Sequence, residues 1–276
     1  MKIIEQLCMG KSPDLENEDG LFINEHFAAV IDGCSSRKPL SGQTRTNGVI
    51  AKNLLLACLE NLAPHASKDE TFHALNDSIR RWYGTRDLLE AAEEDAELRP
   101  GAYIAMLSNA RREIWILGDC QALADGVHYT ETKAIDTLME LNRTMLIEEA
   151  LIQGFSREHL LRHPELIQNR LSEFMTHQAS FQNRMVGTST FGYPTLDGFF
   201  DHYESIIVVQ LGSESKEVVL ASDGYPFLRP TLEESEMKLK QLLRKDSLLY
   251  TEYRATKGLN PAYTSFDDRS YLRIRI

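Results

Sequence analysis

Five acidic stations in a fixed order constrain this chain more than any other feature. They are Asn17-Glu18-Asp19-Gly20, Ile31-Asp32-Gly33, Gly118-Asp119-Cys120, Ala221-Ser222-Asp223-Gly224 and Phe266-Asp267-Asp268. Most follow or interrupt an apolar, strand-like run, which puts the carboxylates at strand ends. A half-buried carboxylate there needs a compensating partner. Several gathered together repel one another unless a hard cation neutralises them. Oxygen ligands of this kind suit Mg²⁺ or Mn²⁺. The order therefore points to a carboxylate-built metal site, and such a site to hydrolysis.

The runs between the stations set the fold class. Residues 2–9 read as a strand, and 21–24 with 27–31 as a hairpin. Residues 47–62 carry apolar side chains at helical spacing, and a second helical stretch covers 69–97 with a break near Gly84. Short strands follow at 102–107, 113–117 and 120–124. From 131 to about 184 the pattern is helical, with Gly154 as a C-cap and Ser156 as a new start. Residues 205–211 and 217–221 read as a strand pair turning at 212–216. A charged amphipathic helix spans 232–244, and 271–276 form a closing strand. Segregated strand blocks with helix pairs between them predict an α+β protein. A two-sheet antiparallel β-sandwich flanked by pairs of α-helices satisfies the pattern. No linker or repeat divides residues 1–276, which predicts one domain with an enlarged helical segment at about 131–184.

Composition removes several functional classes. The formal net charge of −11 argues against a nucleic-acid partner, which would require a basic face. No apolar run approaches the ~20 residues of a membrane span. The four cysteines show no CxxC pair, so reduced thiols in a cytoplasm are expected. The opening MKIIEQLCMGKSPD is too short and polar for a signal peptide.

Five Asp-Gly pairs occur, and such a pair is most often a turn. Asp32 and Asp223 differ from the others because each ends a mostly apolar run. Gly33 would let the backbone approach closely enough for its carbonyl to join a coordination sphere.

In this order the motifs resemble the metal-dependent (PPM, type 2C) serine/threonine protein phosphatase family, from Asn17 to Ile276. The resemblance implies a central β-sandwich with helix pairs outside and a centre of two Mn²⁺ or Mg²⁺ ions at one end. By motif, Asp32 would bridge the two cations. The Gly33 carbonyl and the Glu18-Asp19 pair would serve one, directly or through water, and Asp223 and Asp267 would hold the other. Asp119 matches a position that sometimes assists a third metal, and Asp268 is a supporting residue. Asp32 and Asp223 are then the catalytic carboxylates. A metal-activated water would hydrolyse phosphoserine or phosphothreonine in a protein substrate, in a bacterial cytoplasm.

Three departures stand out. Many relatives bind phosphate through an Arg three residues before the Asn of Asn-Glu-Asp. Here that position is Asp14, which leaves Lys11 or Arg37 as the phosphate-binding cation. Where eukaryotic relatives often carry His-Gly-Gly, this chain has Cys34-Ser35-Ser36, so the leaving-group proton donor is unassigned. The helical stretch at 131–184 is longer than the usual helix pair. These departures define two alternatives: a phosphatase-fold binding or regulatory module with little turnover, and a small-molecule phosphatase. Of the other features, His159 and His163 share a helix face without the Glu of a zinc motif, and Cys34 reads as a packed thiol. Thr188, Ser189, Thr190 and Ser222 lack a nucleophile elbow. Arg273 and Arg275 alternate as on an edge strand.

Overall fold

The computed structural model describes residues 1–34, 38, 43–184 and 189–276. Along the chain run β1 (Lys2–Met9), β2 (Asp19–Ile23), β3 (Phe27–Cys34), α1 (Asn47–Leu59), α2 (Lys68–Gly84) and α3 (Leu89–Glu94). Then come β4 (Gly101–Ser108), β5 (Glu113–Leu117), β6 (Gln121–Ala124), β7 (Val127–Tyr129), α4 (Ala134–Ile152), α5 (Arg157–Arg162) and α6 (Glu165–Thr176). The chain closes with β8 (Ile207–Gln210), β9 (Glu217–Ala221), α7 (Leu232–Lys245) and β10 (Arg269–Arg275). The strands form two five-stranded sheets, ordered β1-β10-β9-β6-β7 and β2-β3-β4-β5-β8. Neighbouring strands pair antiparallel. The α+β sandwich expected from the element order is the observed architecture.

Side-chain alternation with a period of two explains how the layers stack. On β3, Phe27, Ala29 and Ile31 pack with Leu55, Phe72 and Ile79 of the overlying α1 and α2. Ala28 and Val30 face the other way and meet Val218, Leu220, Leu272 and Ile274 of the second sheet. On β9 and β10, Val219, Ala221 and Tyr271 turn outward under Leu239 and Leu242 of α7. Helices α4 and α6 bury a separate cluster, in which Ile135, Met139 and Ile147 meet Leu171, Leu248 and Tyr250. The helix starts carry their own signals. Ser67 and Glu70 form a reciprocal capping box on α2, and Thr46, Ser156 and Thr231 cap α1, α5 and α7. Among the described residues, no helix is long and apolar enough to cross a membrane.

Two readings of the sequence need correction. Residues 205–211 and 217–221 do not form a hairpin, because β8 pairs with β5 while β9 lies between β10 and β6 in the opposite sheet. Both edges of β9 are taken, so the intervening turn carries the chain across the sandwich. Arg112 Nη2 ties that turn by donating to the carbonyls of Gly212 and Ser215. The arginines of β10 do not mark an edge either, since the strand lies between β1 and β9. Arg273 pairs with Glu5 and Glu217, and Arg275 with Glu217. Their alternation records cross-strand ion pairs. Of the Asp-Gly pairs, Asp125-Gly126 is a two-residue hairpin turn between β6 and β7, with φ of +50° and +79°. The sequence reading had no strand at β7.

Arg143 of α4 is buried, and its Nη1 donates to the carbonyls of Leu249 and Ala255 at 3.0 and 3.1 Å. Arg143→Met would leave both oxygens buried without that donor. We expect a stability loss of about 2–3 kcal/mol, read from the urea-unfolding midpoint.

Candidate metal centre

The parity of the strands decides which carboxylates meet. Asp32 shares the parity of Ala28 and Val30, so it points between the sheets, at the end where the sandwich opens. Its register neighbours are Asp19 on β2 and Tyr103 on β4. Asp19 follows the same parity as Leu21 and Ile23 and reaches the opposite sheet, where Ser222 Oγ donates to it at 2.6 Å. Ser222 also accepts from the Ser270 N–H at 2.9 Å. Asp268 joins three segments, accepting from the N–H of Lys11 at 2.8 Å and of Glu18 at 2.9 Å. The end of one sheet is thus stitched to the end of the other by short polar side chains.

Two glycines permit this closeness. Gly33 has the parity of Ile31 and faces α1, and its N–H donates to Glu18 O at 3.1 Å. A Cβ on Gly33 would collide with the Gly48 carbonyl, and a Cβ on Gly48 would lie 2.7 Å from both Glu18 Oε1 and Gly33 O. Strand and helix start therefore touch backbone to backbone. Gly224 does the same against the Asp268 carbonyl, holding the Asp223 loop beside the entry to β10.

These elements wall a cleft of about 910 Å³. Glu18, Asp32, Gly33, Asp119, Asp223, Asp267, Asp268 and Lys11 all line it. Asp19 lies beneath the floor, turned toward Ser222. Arg37 and Thr188 fall outside the described residues.

The carboxylates differ sharply in their partners. No hydrogen bond or ion pair reaches the side chain of Asp32 or Asp223 among the described residues. Both are held well above the usual carboxylate range, by burial first. For Asp32 the charge of Asp223 comes next, and for Asp223 that of Asp267. Asp19 is raised to about 7, mainly by burial, against the relief from Ser222. Asp267 moves the other way. Burial is its largest single influence and would raise it, but Lys257 and Lys11 together outweigh that and lower it. Lys11 Nζ lies 3.3 Å from Asp267 Oδ1, 3.7 Å from Glu18 Oε2 and 3.8 Å from Asp268 Oδ2. Lys257 Nζ contacts Asp267 Oδ2. Lys133 Nζ is buried 2.7 Å from Asp119 Oδ2 and 2.9 Å from Asp136 Oδ2, over the face of Tyr103. The thiol of Cys34 is pushed up by burial and then by Asp32, which suits a packed residue better than a nucleophile.

Lys257 and Lys133 escaped the sequence reading. Neither sits in a motif, and both come from connecting segments whose path is set by distant contacts. His128 was also missed; it lines the cleft with Nε2 2.9 Å from Gln121 Oε1. The rings of His159 and His163 lie 4.6 Å apart and tilted at 36°, exposed on α5 and the residue after it, and neither lines the cleft.

Among the described residues, no three His, Cys, Asp or Glu side chains stand close enough to form a ready-made metal shell. The donor chemistry still discriminates. Asp32 and Asp223 are oxygen donors with no hydrogen-bond or ion-pair partner among the described residues, mutually repelling and open to the cleft, and this fits a hard divalent cation. Asp267 and Asp119 already hold ammonium groups.

No protein-family model matches the sequence. No curated protein matches it either. Among solved structures, the chain is similar to the catalytic domain of serine/threonine protein phosphatase PstP in complex with two manganese ions (13% identity, 99% of this chain and 97% of that one, TM-score 0.49). It is similar to the PPM Ser-Thr phosphatase MsPP from Mycobacterium smegmatis in complex with cacodylate (14%, 99% and 99%, TM-score 0.47). It is also similar to the serine/threonine phosphatase Stp1 from Staphylococcus aureus (15%, 100% and 96%, TM-score 0.44).

Proposed function

We propose that residues 1–276 act as one catalytic unit, a phosphomonoesterase that depends on Mn²⁺ or Mg²⁺ and removes phosphate from serine or threonine in proteins. The observation that carries this reading is the state of Asp32 and Asp223. Two carboxylates from strand ends of opposite sheets open onto one cleft with no hydrogen bond or ion pair to either among the described residues, and Lys257, whose charge bears on Asp223, is itself paired with Asp267. A site serving only stability would gain from an amine or an amide there. Asp32 and Asp223 would hold a cation, with Gly33 and Glu18 beside it. The bound ion would supply electrostatic activation of a water and of a phosphoryl oxygen.

The chain's own groups shape the rest. Asp19 stays behind Asp32 and keeps the two sheet ends in register through Ser222. Tyr103, Tyr253 and Phe266 wall the cleft, which is wide enough for a phosphorylated side chain with flanking peptide. Lys11 is committed to Asp267 and the neighbouring carboxylates, so phosphate would meet it only as part of that network.

A second reading, a phosphatase-fold binding or regulatory module with little turnover, draws support from the same lysines, since cations committed to carboxylates are poor ligands for a substrate phosphate. Hydrolysis of a chromogenic aryl phosphate separates the two. We expect turnover that requires Mn²⁺ and disappears with chelator. Mn²⁺ binding without any turnover favours the module. Faster hydrolysis of phosphopeptides than of small phosphate esters would identify proteins as the substrate class.

A further inference from the structure

The centre is asymmetric in a way that bears on how many ions it takes. At one end Asp32 and Asp223 have no partner among the described residues. At the other, each oxygen of Asp267 meets an ammonium: Oδ1 with Lys11 and Oδ2 with Lys257. These amines are not on loose tethers. Lys11 is fixed through its backbone, its N–H donating to Asp268 and its carbonyl accepting from Thr264 N at 2.9 Å. The segment that delivers Lys257 is anchored on both sides. Arg143 holds the Ala255 carbonyl, and Leu259 N donates to Ser247 O at 2.9 Å. Gly258 packs against Arg143 and the Leu248 carbonyl, where a Cβ would come within 2.7 Å of Arg143 Nη2.

We infer that the ammonium groups of Lys257 and Lys11 take the place of a second cation at Asp267, so that this centre binds one divalent ion, on Asp32 and Asp223. The inference rests on the metal-dependent reading proposed above. Its physical basis is competition for the same lone pairs. An ion at Asp267 would have to displace two amines held by pinned backbone, or sit beside their positive charge. An ion at Asp32 and Asp223 breaks no hydrogen bond or ion pair among the described residues and relieves repulsion.

Equilibrium dialysis of the full chain with Mn²⁺, followed by electron paramagnetic resonance of the bound ion, tests this without reference to activity. The expected result is one Mn²⁺ per chain with the six-line signal of an isolated ion. Asp267→Asn should keep one bound ion, with affinity lowered only through the uncompensated charge of Lys11 and Lys257, because the side chain is not a ligand. The folded double variant Lys11→Met with Lys257→Met should take up a second ion and show a spin-coupled signal. Two ions bound by the unaltered chain overturn the inference and leave the phosphatase reading standing. A double variant that remains at one ion, or an Asp267→Asn protein that loses its ion, also overturns it. An unaltered chain that binds no Mn²⁺ removes both readings.

Discussion

Replacement of Asp32 by Asn should lower metal-dependent phosphate-ester hydrolysis on the order of 10³-fold, and it should make the metal-free protein more stable. The two effects share one cause. Asp32 is raised well above its ordinary range by burial and by Asp223, and Asp223 by burial and its own acidic neighbours. A carboxylate raised in the folded state contributes stability that is complete below its unfolded pKa, near 4, and is lost as pH rises through the folded value. The metal-free chain should therefore weaken steadily from pH 5 to pH 8. Asp19, raised to about 7, shares this window. Each such group contributes roughly 1.4 kcal/mol per pH unit of separation between its two pKa values. Asn at position 32 removes one share outright and relieves Asp223 of a neighbouring charge. Mn²⁺ should reverse the slope for the unaltered chain, because it binds the ionised form. Urea-unfolding midpoints at pH 5 and pH 8, with chelator and with Mn²⁺, read both effects. A metal-free stability that is flat over this range, and unchanged by Asp32→Asn, contradicts the picture of an open, repelling pair.

Gly33→Ala should be strongly damaging for a single added methyl, costing about 3 kcal/mol or more. Gly33 faces α1 because it follows Ile31 by two positions on β3. An added Cβ would collide with the Gly48 carbonyl and lie 2.8 Å from Glu18 O. Neither side can yield cheaply. β3 is held between β2 and β4, and the Gly33 N–H is committed to Glu18. Relief would have to come from moving the start of α1, which Thr46 caps and Asn47 ties to the Leu98 carbonyl at 3.0 Å. Gly84 provides the control. It is exposed at the end of α2, and a Cβ there meets nothing within 4 Å. Gly84→Ala should be neutral or stabilising by up to about 1 kcal/mol, through reduced freedom of the unfolded chain. Similar losses at the two positions in chemical denaturation would show that backbone contact at Gly33 is not what closes the site.

The sandwich was legible because its signals are local. The strands at Lys2–Met9 and Glu113–Leu117 and the helix starting at Asn47 follow from apolar period and capping residues within a few positions of themselves. The pairing of β8 was not legible, since nothing in residues 205–221 says that both edges of β9 are already occupied. β7 is only three residues long, too short for a pattern. Of the candidate site, the stations on strand ends could be read, because an Asp after an apolar run is a local feature with a known energetic consequence. Lys257 could not, because its pairing with Asp267 depends on Arg143, far away in the chain, fixing the loop between them.

By itself the sequence determined most of the element order, the two-layer class and which aspartates stand near strand ends, since alternation and capping act over a turn or two of chain. Only the tertiary structure decided which of those aspartates have no ion pair among the described residues and which are met by an amine. That difference arises because ion pairing depends on distances of a few ångströms between segments whose relative placement is set by contacts from elsewhere in the chain, among them the backbone approach at Gly33, Gly48 and Gly224 and the hold of Arg143 on the Ala255 carbonyl.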